Sequence, residues 1–234
     1  MSAGENAVIV DLADGDVRAA NTRLQEKNGS EDTEFYKVRN PRGVHALACG
    51  LDAPVSVEIE GSTGYYCAGM NKHADVTVLG NAGQGVAENM MSGRIHVKGD
   101  CSQAAGATAH GGLLVVDGNA AARCGISLKG ADIVVKGDIG HMSCFMAQAG
   151  RVVVLGNAGA ALGDSLYEAR IYIRGTVESL GADCVEKEMG DSHRAELRDL
   201  LDAAGCQEVP LDGFRRYGSA RTLYHFQTDN VGAY

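Results

Sequence analysis

The sequence is organised by a six-residue pattern that returns after nineteen residues: Val76-Thr77-Val78-Leu79-Gly80-Asn81, then Ile95-His96-Val97-Lys98-Gly99-Asp100. The glycine of this pattern occurs seven times at the same interval. Its positions are Gly61, Gly80, Gly99, Gly118, Gly137, Gly156 and Gly175. A short fixed period of this kind indicates a solenoid, in which each unit stacks on its neighbours.

Two positions before each glycine are aliphatic in every repeat. Four residues before it stand Val57, Val76, Ile95, Leu114, Ile133, Val152 and Ile171. Two residues before it stand Ile59, Val78, Val97, Val116, Val135, Val154 and Ile173. Because residues i and i+2 of a strand face the same side, each repeat predicts a short strand with one apolar face. The glycine ends the strand, and we expect the Ser, Asn, Asp or Thr after it to hydrogen-bond a local turn.

Two further positions hold small residues, which we expect where stacked coils leave no room for a side chain. Seven residues after the glycine come Ala68, Ala87, Gly106, Gly125, Cys144 and Gly163. Thirteen residues after it come Ala74, Gly93, Gly112, Ala131, Gly150 and Ala169. A leucine-rich solenoid is disfavoured because the Leu-x-x-Leu-x-Leu signature is missing.

The predicted fold is therefore mainly β. It is a single-stranded, right-handed parallel β-helix of about seven 19-residue coils, with a short α/β flank before it and a helix plus tail after it. Seven coils at the spacing of paired strands give a rod roughly 35 Å long. We divide the chain into an N-terminal flank or cap at 1–50, the glycine-rich β-helix at 51–180, and a C-terminal helix and docking tail at 181–234.

The flanks carry their own signals. A strand is predicted at Ala7–Leu12, a helix at Asp16–Lys27 and a turn at Asn40–Gly43. Spaced leucines among charges predict an amphipathic helix at Glu186–Ala204, and the tail from Phe214 to Tyr234 is rich in Arg, Tyr and Phe. Since the open ends of a rod must be covered, we expect the flanks to cap it or to bind a partner.

The outward position three residues before each glycine changes character along the rod. Its residues are Glu58, Thr77, His96, Val115, Val134, Val153 and Tyr172. The three valines would form an apolar stripe where solvent-facing side chains should be polar. We therefore predict that the chain's own tail or another subunit covers them.

Charge and composition exclude several classes of partner. Acidic residues outnumber basic ones 30 to 21, and this net charge of -9 argues against nucleic acid or an anionic membrane. No apolar stretch approaches the roughly 20 residues of a membrane span. The start, Met1-Ser2-Ala3-Gly4-Glu5-Asn6, lacks the features of a signal peptide, so a cytoplasmic location is expected.

The cysteines do not predict a metal or disulfide site. Seven cysteines without C-x-x-C spacing favour reduced thiols. Cys67 and Cys124 lie three coils apart, too far to bridge, whereas Cys124 and Cys144 fall on adjacent coils and are interpreted as a packed pair of thiols. His141 and Cys144 offer two ligands where zinc takes four.

Catalytic and nucleotide motifs are also missing. The run Gly80–Gly85 resembles a phosphate loop, but a dinucleotide fingerprint opens a helix, and this run is one of seven similar corners. The histidines His45, His73, His96 and His110 occupy unrelated repeat positions and are interpreted as surface or hydrogen-bonding residues. A class II glutaminase needs a processed N-terminal cysteine, which this chain lacks. We predict no catalytic, cofactor-binding or metal-binding residue in this chain.

Several segments resemble a known family. The run Val76–Gly175 is similar to the glycine-rich (GXGXG) β-helical domain that closes the large subunit of glutamate synthase. The resemblance is closer to the stand-alone β-helical subunit of N-methylglutamate synthase, through Gly64–Asn71, Gly85–Gly93 and Phe214–Arg221. It extends over nearly the whole chain.

The resemblance implies a hetero-oligomer with two other subunits. One would be a glutaminase-like amidotransferase, and the other a glutamate-synthase-like subunit that binds FMN and an iron-sulfur cluster. The implied reaction joins methylamine to L-glutamate and releases ammonia and N-methyl-L-glutamate. The present chain would be a non-catalytic scaffold without a cofactor of its own, bridging the other two.

Two other interpretations stay open from the sequence. The chain could be the β-helical subunit of a formylmethanofuran dehydrogenase-type complex, or a free-standing structural solenoid. In the complexes, the aromatic and Arg residues of the tail would contact a partner, because such residues are favoured at interfaces. They are Phe214, Arg215, Arg216, Tyr217 and Arg221. Truncation after Gly213 is expected to leave the rod folded, since its stability comes from neighbouring coils.

Overall fold

A computed structural model describes residues 7–13 and 15–221, and its main feature is one 11-stranded sheet. The strands in chain order are β1 Val8–Asp11, β2 Phe35–Arg39, β3 Ser56–Ile59, β4 Asp75–Val78, β5 Arg94–Val97, β6 Leu113–Val116, β7 Lys129–Val135, β8 Ala149–Val154, β9 Arg170–Ile173, β10 Cys184–Lys187 and β11 Arg215–Ser219. Their order in the sheet is β1 to β9 in sequence, followed by β11 and then β10.

The strands β1 to β9 stack in parallel, and the repeat sets their register. Val76 pairs with Ile95, and Val78 with Val97, so equivalent positions of successive repeats lie one above the other. A second line of parallel bridges follows one corner of the coils through Thr63, Ala82, Cys101, Ala120, Ile139, Ala158 and Val177. The predicted parallel β-helix is confirmed.

The interior contains the two aliphatic columns that the sequence predicted. All fourteen of these side chains are at most 2% exposed, from Val57 to Ile173. Burial of each such side chain stabilises the fold by about 1.5–3 kcal/mol relative to exposure. The inward register assigned from the period of two within each strand is therefore confirmed.

The residue after each glycine bonds the next coil, so the prediction of a local turn bond is wrong. Asn81 Oδ1 accepts from the backbone N–H of Asp100 at 2.9 Å, and Asp100 Oδ1 accepts from that of Asn119 at 2.7 Å. The same bond continues through Asp138 and Asn157. We call this series the oxygen ladder; it runs Ser62, Asn81, Asp100, Asn119, Asp138, Asn157 and Thr176. Each step satisfies an amide at the turn of one coil with a side chain of its neighbour.

The oxygen ladder explains the glycine column. A Cβ on Gly118 would lie 2.3 Å from Asp100 Oδ1 and 2.8 Å from the carbonyl oxygen of Gly99. A Cβ on Gly137 would lie 2.4 Å from Asn119 Oδ1. Neither glycine has a left-handed φ, so close approach, and not conformational freedom, requires glycine here.

The preference for small residues seven positions after the glycine has a second cause besides close packing. All six have a left-handed backbone, with φ of 53° at Ala68, 58° at Ala87 and 60° at Cys144. Side chains with a Cβ adopt this region at a cost of roughly 1–2 kcal/mol, which favours glycine. At Gly106 a Cβ would also lie 2.6 Å from Ile133 Cδ1.

The N-terminal flank caps the rod, as one of the two predicted roles. Helix α1 spans Val17–Leu24, is capped by Asp16, and continues as a 3-10 turn at Gln25–Lys27. Side-chain amides of Asn21, Gln25 and Asn28 donate to backbone oxygens of the first coil between residues 46 and 50 at 2.6–2.9 Å. These bonds satisfy carbonyls that no earlier coil could reach.

The sheet runs across both boundaries of the three-part division. In the first part, Tyr36 of β2 pairs with Val57 of β3 in parallel, so the stack begins before residue 51. In the last part, β11 pairs antiparallel with β9 and with β10. The division at residues 50 and 180 stays a prediction.

The C-terminal helix is shorter than predicted. Helix α2 spans Asp191–Ala203, whereas the sequence suggested a start at Glu186. Glu186 and Lys187 instead belong to β10 and pair with Tyr217 and Arg216. This long-range pairing overrides the local helical pattern. In the described ranges, neither helix is long and apolar enough to cross a membrane.

A charge on the inward face should unfold the rod. Val78 and Val135 are fully buried, whereas Thr77 faces outward and is half-buried. We expect Val78→Asp or Val135→Asp to lower the free energy of unfolding by about 3 kcal/mol or more, because the carboxylate has no partner there. Thr77→Asp is the control and should change it far less. Equal melting temperatures for both classes of variant would contradict the assigned register.

The glycine column gives a second prediction. Gly118→Ala should destabilise the chain by about 2 kcal/mol, because the added methyl overlaps the oxygen ladder. Gly218→Ala is a matched control in β11, since its nearest neighbour is the flexible side chain of Lys187 at 3.4 Å. Its effect should stay below about 1 kcal/mol. Chemical denaturation measures both, and a harmless Gly118→Ala would refute the role given to the ladder.

Candidate functional site on the outer face of the sheet

Helix α2 covers the valine stripe on the outer face of the sheet. Val115, Val134 and Val153 are fully buried, and they pack in one cluster with side chains from the C-terminal part of the chain. That part of the cluster comprises Leu197, Leu200, Leu201, Ala204, Cys206, Val209 and Phe214. The prediction that something covers the stripe is confirmed, and the cover belongs to this chain.

Helix α2 is long enough to cross the stripe and reach one strand beyond it. Its thirteen residues rise about 20 Å, whereas four stacked strands span about 14 Å and five span about 19 Å. The covered strands are β6 to β9, because the cluster ends at Tyr172 of β9. At the other end of the helix, Arg94 Nη1 of β5 donates to the carbonyl oxygen of Ala203 at 2.6 Å. The helix therefore crosses the strands and stops where the outward residues become polar.

A buried polar group fixes the first turns of α2. The hydroxyl of Tyr172 donates to Glu196, and Arg170 Nη2 lies 2.9 Å from the same carboxylate. Burial, followed by this carboxylate, raises the pKa of Tyr172 well above its ordinary value, so the phenol stays protonated. The sequence did not predict this role of Glu196, because the only pattern that points to it is its position next to Leu197 in the helix.

A second polar group lies at the border between the strands that α2 covers, β6 to β9, and the strands before them. His96 Nε2 donates to Asp117 Oδ1 at 2.9 Å, and Lys136 Nζ lies 2.8 Å from that carboxylate. Burial acts to raise the pKa of Asp117, but the hydrogen bonds from Lys136 and His96 outweigh it and lower the pKa to about 2. Burial lowers the pKa of His96 and outweighs the opposing effect of Asp117. This border thus consists of a carboxylate held charged and a half-buried imidazole.

The outer face of β2 to β5 is open and polar. Lys37 Nζ lies 3.0 Å from Glu58 Oε1, and Thr77 follows on the next strand. A cleft lies over these residues, with Phe35 and Arg94 at its sides. Within residues 7–13 and 15–221, no helix lies over these strands.

The first described residues of the tail are part of the fold. Phe214 and Tyr217 are only 7% and 2% exposed, and β11 is a paired strand between β9 and β10. Arg215 donates to the carbonyl oxygen of Gly175 at 2.8 Å, and Arg221 is paired with Asp183. The two aromatic rings are therefore packed inside this chain and not available to a partner. Residues 222–234 of the predicted docking tail lie outside the described residues.

The expectation about truncation after Gly213 needs correction for the same reason. That truncation removes β11 and the Phe214 ring that helps to cover the valine stripe. A loss of assembly would then reflect a damaged sheet as well as a missing tail. Truncation after Arg221 keeps all described residues and is the better experiment.

The thiols are placed for packing. All seven cysteines are unpaired, and six of them are buried. Burial raises the pKa of the Cys67 and Cys124 thiols to about 12, and it also raises the pKa of Cys144 well above the ordinary value. Cys124 and Cys144 lie on adjacent coils joined by a backbone hydrogen bond of 2.7 Å, so the interpretation as packed thiols is confirmed. Protonated thiols are poor nucleophiles and poor metal ligands.

The other candidate residues occupy the places that the sequence suggested. His141 is exposed while Cys144 is buried, so the two do not form one ligand pair. His45, His73 and His110 are exposed, and His45 Nδ1 accepts from the backbone N–H of Tyr65. No group of three potential metal-ligating side chains occurs within residues 7–13 and 15–221. The Gly80–Gly85 run forms a coil corner and opens no helix.

Comparison with known proteins places the chain in a family. No protein-family model matches it. It is 60% identical over 227 residues to Protein GlxC of Rhizobium meliloti (strain 1021), and the match covers 97% of this chain and 99% of that protein. The chain belongs to the GlxC family. Because the match spans both flanks, GlxC-family members are expected to share α1, α2 and β11 as well as the β-helix.

The cover of the valine stripe gives a third prediction. Leu197→Asp should detach α2, because a carboxylate would face the buried valines at a cost of about 3 kcal/mol. Arg194→Asp, at an exposed position of the same helix, is the control. Hydrogen exchange of the α2 amides should become fast in the first variant only, while the strands stay protected. Slow exchange of α2 in Leu197→Asp would contradict the packing described.

Proposed function

We propose that this chain is the non-catalytic β-helical scaffold subunit of a glutamate-synthase-like complex. The complex would be N-methylglutamate synthase, which converts methylamine and L-glutamate to N-methyl-L-glutamate and ammonia. The observation that carries the proposal is the stack itself, whose interior is filled with packed aliphatic side chains and protonated thiols. A rod with a filled interior would contribute to a reaction by binding other subunits on its surface. The glycine-rich sequence resemblance supplies the identity of the complex.

The proposed partners are an amidotransferase-like subunit and a subunit that holds FMN and an iron-sulfur cluster. We assign the cluster to a partner because iron-sulfur clusters are held by cysteine thiolates, whereas burial keeps the thiols of this chain protonated. The open outer face of β2 to β5 and the ends of the rod are the surfaces left for these subunits.

The rod would hold the two partners at a fixed distance. Nine parallel strands at the usual spacing span about 38 Å from β1 to β9. Between Ser62 and Val177, each coil is joined to the next through the sheet, a corner bridge and the oxygen ladder, so bending requires several bonds to break together. A stiff spacer suits a reaction in which one subunit supplies an amine and another consumes it.

Reconstitution tests the proposal. The purified chain alone should be colourless and inactive, and synthesis of N-methylglutamate from methylamine should require both partner subunits as well as this chain. The Val135→Asp variant is a matched control, because its rod should not fold. Full turnover by the flavin subunit without this chain would contradict the scaffold role. Stoichiometric flavin or iron in the isolated chain would contradict the absence of a cofactor site.

Purification of the native assembly distinguishes the other interpretations. Recovery with an amidotransferase-like and a flavin-containing subunit is the expected result. Recovery within a formylmethanofuran dehydrogenase-type complex, or as a free chain, would overturn the assignment.

A further inference from the structure

The two edges of the sheet are unequal. At the C-terminal edge, β10 carries Glu186 and Lys187, and charges of this kind hinder pairing with another strand. At the N-terminal edge, β1 reads Val-Ile-Val-Asp and has no neighbour on its outer side among the described residues. Natural sheets usually protect such an edge, and Asp11 is the one charged residue of β1, so this open edge calls for an explanation.

The free hydrogen-bonding groups of β1 can be identified. The backbone N–H of Leu12 donates to the carbonyl oxygen of Arg39 in β2 at 3.0 Å. Backbone groups of a strand alternate in direction, so Val8 and Val10 also face β2. The N–H and C=O groups of Ile9 and Asp11 therefore point away from the sheet. They offer four backbone groups in the pattern that a further strand requires.

A groove runs beside this edge. It lies between β1 and α1 and is lined by Val10, Leu12, Ala19 and Ala20, with Asp16 and Arg23 at its rim. A strand added to β1 would point alternate side chains into this groove. Ile9 and Phe35, on the outer face of the same end, are 46% and 42% exposed and would contact the other side chains of that strand. The edge and the groove thus form one surface.

We propose that this surface, the β1 edge with the adjoining groove, binds an extended segment of a partner subunit as an added strand. The inference rests on the proposed function for the existence of that subunit. The segment carries an apolar side chain that enters the groove and a basic side chain that reaches Asp16.

The charges at the rim of the groove support a basic residue on the incoming strand. Arg23 at the rim is already paired with Glu26, whereas Asp16 takes part in no ion pair within the described ranges. Asp11 already accepts from Asn40 Nδ2 at 2.7 Å, and this bond together with the charges of Arg39 and Arg42 lowers its pKa, so Asp16 is the carboxylate left for a basic residue of the partner. A Lys or Arg on the incoming strand would neutralise it.

A second copy of this chain fits the surface poorly. In a symmetric pairing of two β1 strands, the side chain offered to each groove would be Val8 or Val10 of the other copy. Val10 is only 9% exposed because it already packs against its own chain. Each copy also carries a net charge of -9. A partner segment with a free apolar side chain has neither difficulty.

Variants on α1 and β1 test the inference in the assembled complex. Ala19→Trp fills the groove, whereas Arg18→Trp places the same side chain at an exposed position that does not line it. Ile9→Pro removes a free N–H while leaving the bonds to β2 intact. We expect Ala19→Trp and Ile9→Pro to weaken assembly with the two partner subunits by about tenfold or more, and Arg18→Trp to have little effect. Asp16→Asn keeps the helix cap and should reduce the salt dependence of assembly.

Hydrogen exchange supplies a readout that does not depend on the variants. In the complex, the amides of Ile9 and Asp11 should become protected, while those of Val8 and Val10 are already protected in the free chain. If the wild-type complex forms, all variants assemble equally, and these two amides still exchange fast, the inference is wrong while the proposed function stands. Protection of the same amides in the chain alone at high concentration would identify a second copy as the occupant and overturn it. Failure of the wild-type chain to assemble would overturn both.

Discussion

The vertical bond between equivalent residues of successive coils is the interaction on which the whole structure depends. Asn119 Oδ1 accepts from the backbone of Asp138, and the same bond recurs along one corner of the rod. The bond is possible only because the glycine beside it has no Cβ. The nineteen-residue period therefore reflects a geometric requirement: each coil must bring a glycine, followed by a side chain with an oxygen acceptor, to the same corner directly above the coil before it.

This requirement also explains what the protein can do. A stack whose amides are satisfied from coil to coil and whose interior is filled has no room for a ligand inside. Side chains can vary from one coil to the next only on the outer face of the sheet and at the ends of the rod, and there they do vary. Val134 lies under α2, while Thr77 in the equivalent position is open. Those differences divide the rod into a self-covered half and an accessible half.

Much of the fold could be predicted from the sequence, because the repeat makes local and global patterns agree. The inward columns, the parallel stack and the need to cover Val115 follow from periodicity alone. The identity of the cover does not, since Leu197 and Val134 join one cluster over a large sequence separation, and no local pattern links the two. The start of α2 was misplaced because Glu186 pairs with Tyr217 in the sheet. The oxygen ladder was missed because a side chain that caps its own turn and one that bonds the next coil have the same residue preference.

A lengthened rod tests the central proposal, that this chain would act by holding its partners at a fixed distance. Duplication of residues 81–99 adds one coil between the open half and the half covered by α2, which lengthens the rod by about 4.8 Å. The extended chain should fold, with a melting temperature near that of the original, and should bind each partner separately. Synthesis of N-methylglutamate by the assembled complex should fall strongly, while the flavin subunit keeps its cofactor. Unchanged turnover with the extended chain would contradict the account.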